Sequence, residues 1–146
     1  LPLIFMICLI FQISLGGLVS GLDAAQIYQT WPKMNENFFP NDSNYNDLLS
    51  LKLFDTPSLL QFMHRNIAYF IFLLFFFIAF LIFKYNNFVH LRKTALLVFA
   101  FLILQIFLGI LTILSGAQII LASMHQIGSI FLIATSLVLV FKNSKN

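Results

Sequence analysis

Four stretches of this 146-residue chain, near 2–21, 59–83, 94–114 and 118–141, stay apolar for about 20 residues or more at a time. Nothing else in the sequence limits the fold as strongly. A helix rises about 1.5 Å per residue, so each stretch is long enough to cross the hydrocarbon core of a bilayer. The runs are continuous and lack period-2 alternation, which argues for helices over transmembrane strands. Residues are 60% hydrophobic and only 9% charged, where a soluble domain carries roughly a quarter charged. Mean hydropathy is +0.95. A soluble core cannot use this much apolar surface, so the solvent is the lipid bilayer. The predicted fold is an all-α membrane protein: one four-helix transmembrane bundle over 1–146, with a long outer loop at 22–58.

The charges orient it. Lys84, Arg92 and Lys93 lie in the 84–93 connection and Lys142 and Lys145 in the tail, with no acid among them. Segment 22–58 holds all five acids, Asp23, Glu36, Asp42, Asp47 and Asp55, against Lys33 and Lys52, a net −3. The positive-inside rule puts both termini and the 84–93 connection on the cytoplasmic or matrix side. The basic pI of about 9.2 reflects this asymmetry and carries no nucleic-acid signal. Segment 22–58 is rich in turn formers, Pro32, Pro40, Pro57 and the Asn41–Asn44 run, and in aromatics, Tyr28, Trp31, Phe38 and Phe39. It reads either as an ordered cap at the headgroup level or as a mobile loop with an ordinary aromatic belt. The lone Cys8 excludes an internal disulfide. The chain starts at Leu1-Pro2 with no basic leader before its first apolar run. A signal peptide fits this poorly, and a fragment or half of something longer is expected.

Two histidines sit inside these runs. His64 lies in the second and His125 in the fourth. Ionisable groups at membrane depth are costly and normally face the bundle interior. With the outer loop as reference, His64 is roughly 8 Å and His125 roughly 10 Å into the membrane. Two imidazoles at matched depth on two helices suit a buried haem iron or another metal. Ala68, Ala122, Gly128 and Ser129 lie one turn away, leaving room for a flat ligand. Arg65 is placed to pair with haem propionates or to snorkel at the interface. Gln61 and Gln126 could orient an imidazole through its second nitrogen. Gln12 and Gln105 read rather as interhelical hydrogen bonds. His90 belongs to the inner basic loop.

No span contains an acid, and no HExxH, Walker or Ser–His–Asp pattern occurs. Spacing favours a bundle holding a bis-His haem. A histidine-lined transporter fragment and a pair of structural histidines stay open.

Three local strings resemble haem A synthase. GGLVSGLDAAQIYQTWPKMNENFFP (16–40) is similar to the end of that family's fifth helix and the loop after it. LLQFMHRNIAY (59–69) is similar to its V-Q-F-x-H-R-x-x-A-Y segment, and LQIFLGILTILSGAQIILASMHQIGS (104–129) to its L-Q-x-x-L-G-I-x-T to H-Q-x-G segment. The three occur in order and cover essentially the whole chain. The outer loop has no cysteine pair, which places the resemblance in the proteobacterial and mitochondrial branch. Lys33 and Asn35-Glu36-Asn37 replace the usual Leu and Asp-Gly-x.

The resemblance implies an oxidoreductase of haem A biosynthesis in the bacterial or mitochondrial inner membrane. It converts the C8 methyl of haem O to the formyl of haem A for cytochrome oxidase. The family has eight helices in two four-helix halves, and this chain resembles the C-terminal one. There His64 and His125 would be axial ligands to the iron of a haem b. The catalytic acid and the histidines for substrate haem O are expected in an N-terminal half, missing or separate, and cannot be carried onto this chain. An electron donor, haem O synthase and a second copy of the chain are the further partners implied. The competing function is a bis-His haem b electron-transfer or membrane-anchor subunit with no catalysis of its own. The Trp31-Pro32 loop and the His125-Gln126 pair argue against it.

Overall fold

A computed structural model describes residues 1–145. Four α-helices make up the bundle: α1 (Pro2–Gly21), α2 (Pro57–Lys84), α3 (Arg92–Leu114) and α4 (Ile119–Ser144). All four are long and apolar enough to cross a membrane. Proline stands in the first turn of α1 and of α2, where its missing N–H would have had no helical partner anyway. α2 and α4 extend past their apolar runs at both ends or at the C-terminal end, because helical hydrogen bonding continues through polar residues such as Lys84 and Lys142 that lie beyond hydrocarbon depth.

Each helix packs on its chain neighbours, and α1 closes onto α4. α2 and α4 therefore face each other along a diagonal. Short connections impose the up-and-down order from α2 through α4. Ser115–Gln118 joins α3 to α4 through Gly116 and Ala117, both left-handed at φ 68° and 61°. At the opposite end Arg92 donates to the Ile82 and Phe83 carbonyls, satisfying the last turn of α2. Lys142 donates to the Thr94 hydroxyl there, tying α4 to α3.

The core is uneven along the bundle. The main cluster runs through Phe5, Leu9, Ile71, Phe75, Ile78, Leu102, Leu132 and Leu139, in the half away from the long connection. A smaller one, Leu15, Val19, Ala24 and Leu60, lies at the loop end between α1 and α2. Large apolar side chains such as Phe70, Phe76, Phe107 and Phe131 point outward, the inside-out pattern expected when lipid is the solvent.

The connection between α1 and α2 is an ordered cap. Three short 3-10 turns, Ala24–Gln26, Tyr45–Leu49 and Leu51–Phe54, punctuate it, and the Trp31–Pro32 peptide is cis. Tyr28, Met34 and Pro40 are buried within it. The Tyr28 hydroxyl donates to Asp42 and accepts from the Asn41 backbone N–H. Phe39 stacks on Tyr45 and meets the edge of Phe62 on α2.

Candidate functional site

His64 lies seven residues past Pro57 and His125 six past Ile119. Both are therefore about 10 Å along their helices from the loop end. They sit where the main core cluster stops, on diagonal helices.

Each imidazole rests on a glycine of the preceding helix. A Cβ built on Gly16 of α1 would lie 3.2 Å from His64 Cε1, and one on Gly109 of α3 would lie 3.1 Å from His125 Cε1. The backbone carbonyl one turn before each glycine, Gln12 and Gln105, bears on the same ring. Neither contact has full hydrogen-bond geometry, so both Nδ1 atoms are buried without a partner. The Gln12 amide donates across helices to the His64 carbonyl at 2.9 Å. Gln12 thus makes the interhelical bond expected of it, and makes it to the histidine's own backbone.

The small residues behave differently from one another. Ala68, Ala122 and Ser129 are half-buried. Gly128, read as part of the clearing beside His125, is occupied instead by the Gln105 side chain, which a Cβ there would overlap. Gly128 serves the close approach of α3 and α4.

Arg65 is 6% exposed and clamps the cap. Its Nη1 donates to the Thr30 and Lys33 carbonyls and its Nη2 to that of Tyr28. Gln61 donates to the Tyr28 carbonyl as well, so it holds the loop and does not orient a ring. The Arg65 Nε has no partner. Gln126 and His90 are exposed.

Among the described residues, the buried side-chain polar atoms without a partner are Gln12 Oε1, Gln61 Oε1, His64 Nδ1, Arg65 Nε, Gln105 Nε2 and His125 Nδ1. They belong to the two histidines, to Gln61 and Arg65 beside His64 on α2, and to Gln12 and Gln105, each one turn before a glycine that faces an imidazole. Each unpaired buried group costs about 1–3 kcal/mol, a cost that a polar-edged ligand would relieve. No three His, Cys, Asp or Glu side chains converge among the described residues. Two imidazoles suit a metal that brings its remaining ligands along, as a porphyrin iron does. The residues present fit a haem.

Reading the sequence for histidines missed the glycines, although a signal was there. Leu9-Ile-Phe-Gln-Ile-Ser-Leu-Gly16 in α1 and Leu102-Ile-Leu-Gln-Ile-Phe-Leu-Gly109 in α3 are near copies. Leu9, Leu15, Leu102 and Leu108 are all buried, so the two copies present the same face. Gly16 and Gly109 each lie five residues before the end of their helix.

A family model described as cytochrome oxidase assembly protein matches residues 1–137. The chain is 46% identical over 93% of its length to "Heme A synthase" of Pelagibacter ubique, covering 40% of that protein. It is 38% identical over 82% of its length to the protein of that name from Bartonella tribocorum, covering 34% of it. For the Rickettsia prowazekii protein of that name the figures are 37%, 91% and 40%. The chain thus spans well under half the length of these relatives. No solved structure matches it.

Proposed function

The chain belongs to the cytochrome oxidase assembly protein family, and from that membership we propose that it is the part of a haem A synthase that holds a haem b between two histidines. The observation that supports the reading is the pair of imidazoles on diagonal helices, His64 and His125, each lying against a glycine of the preceding helix with its Nδ1 unpartnered. His64 on α2 and His125 on α4, on diagonal helices, would hold the haem iron through their imidazole nitrogens. When bound, a bis-His haem supplies a one-electron iron couple. Arg65 holds the cap beside His64, and its unpartnered Nε is a donor that a propionate would take.

The proposed activity of the whole enzyme is oxidation of the C8 methyl of haem O to the formyl of haem A, for cytochrome oxidase. The names of the three relatives support this. Haem O would be held by parts of those relatives outside the matched 40%. An electron donor, haem O synthase and a second copy of the chain are the partners proposed with it. The proposed location is the bacterial or mitochondrial inner membrane, both ends of the chain on the cytoplasmic or matrix side.

Purified protein is expected to show the absorption spectrum of a six-coordinate low-spin haem, lost in His64→Ala and in His125→Ala. A folded chain that stays haem-free in a haem-replete host overturns the reading. Stable co-purification with a soluble dehydrogenase, with no effect on haem A formation, would point to the anchor-subunit function instead.

A further inference from the structure

We propose that Gly16 and Gly109 are positioning residues. Each gives its histidine a bare stretch of helix backbone to lie against, which turns Nδ1 toward the carbonyl one turn earlier and leaves Nε2 for iron. This rests on the haem reading above and goes beyond it, because it assigns what sets the orientation of the two rings.

Three observations converge. First, the same pairing occurs twice. Gly16 meets the Cε1 edge of His64 and Gly109 that of His125, at 3.2 and 3.1 Å from an added Cβ. Second, the glycines stand four residues after Gln12 and Gln105, whose carbonyls bear on those rings. A helical carbonyl keeps a second lone pair after its helix bond, and a glycine one turn on removes the side chain that would screen it. Both Nδ1 atoms are buried without a partner, and a small turn of each ring that let Nδ1–H donate to that carbonyl would fix the tautomer with the Nε2 lone pair free, the arrangement metal-bound histidines need. Third, not every glycine does this. Gly17, next in sequence, has nothing within 4 Å of its added Cβ, and Gly128 faces Gln105. Only the two glycines at matched places in the repeat face imidazoles.

A Cβ at 3.1–3.2 Å forces the ring to shift or rotate by a few tenths of an ångström. In a bis-His haem that alters the angle between the two ring planes and the donation from Nδ1. Gly16→Ala, Gly109→Ala and the control Gly17→Ala are purified from membranes and compared by low-temperature electron paramagnetic resonance and by redox titration. The two facing variants are expected to shift the low-spin g values and the midpoint potential, with Gly17→Ala matching wild type. If both facing variants match Gly17→Ala while His64→Ala still loses its haem, the inference fails and the haem reading stands. Wild-type protein folded without haem removes both.

A second comparison needs no haem. Gly16→Ala is expected to lower thermal stability in the presence of His64 but not in a His64→Ala background, where the added methyl has room. Equal destabilisation in both backgrounds would make the glycine a packing residue and overturn the proposal.

Discussion

Arg65 has one side chain and two plausible destinations, and its neighbours in space settle where most of it goes. Its guanidinium bonds three carbonyls of the cap, and bonds from a charged donor contribute more than neutral ones. Arg65→Ala leaves those carbonyls without their donor and is expected to cost about 3 kcal/mol or more. It should free the Tyr28–Lys33 segment to proteolysis and fast hydrogen exchange while α1–α4 stay protected. Arg65→Lys recovers only part of this, since an ammonium lacks the planar fork. Tyr28 makes the complementary contact. Burial pushes its phenol up, and the Asp42 carboxylate beside it adds to this against the pull of the Asn41 N–H. A raised native value means the folded state holds the proton more tightly. The stability is therefore complete below the ordinary tyrosine value of about 10 and lost as pH climbs through the higher native one. Cap protection should be flat across neutral pH and fall only in strong alkali, and Tyr28→Phe should remove that alkaline component. None of this was legible in the sequence. In the sequence Arg65, next to His64, reads as a propionate contact or a snorkelling arginine, because its carbonyl partners are backbone groups that any residue supplies.

At the scale of elements, the unit of this protein is a helix pair: α1 with α2, then α3 with α4. Each pair sets a histidine of its second helix against a glycine of its first. The pairs differ in detail. Gln12 reaches across to a backbone carbonyl, whereas Gln105 packs on Gly128 with its amide nitrogen unpartnered. Gly128→Ala should therefore force the Gln105 side chain out of its buried place and destabilise the α3–α4 pair by about 1–3 kcal/mol. Adding Gln105→Ala should relieve at least part of that cost, a coupling readable from a double-mutant cycle of unfolding in detergent. The helices themselves were legible from their apolar runs. The glycine contacts were not, although the near-repeat around Gln12 and Gln105 could have raised the question. A repeat shows that two positions are equivalent, but only packing shows what each one faces.

Across the whole molecule, charge is segregated by end. Asp23, Glu36, Asp42, Asp47 and Asp55 are in or beside the cap, and Lys84, Arg92, Lys93, Lys142 and Lys145 are at the opposite end. If the positive-inside rule holds for this chain, a cysteine at the exposed Asn46, in a Cys8→Ser background, reacts with an impermeant maleimide added to intact cells. One at the exposed Asn87 reacts only after permeabilisation. The reverse pattern would invert the bundle and put the histidine layer near the cytoplasmic face. Element type, number of spans and the level of the two histidines follow from the sequence alone, because hydrophobic run length and helical rise are local properties. Tertiary structure alone decided that the long connection folds into a cap pinned by Arg65 and Gln61. It alone also decided that each imidazole lies on a glycine. Those features depend on which helix face meets which, and that is set by the packing of the complete bundle rather than by any one stretch of residues.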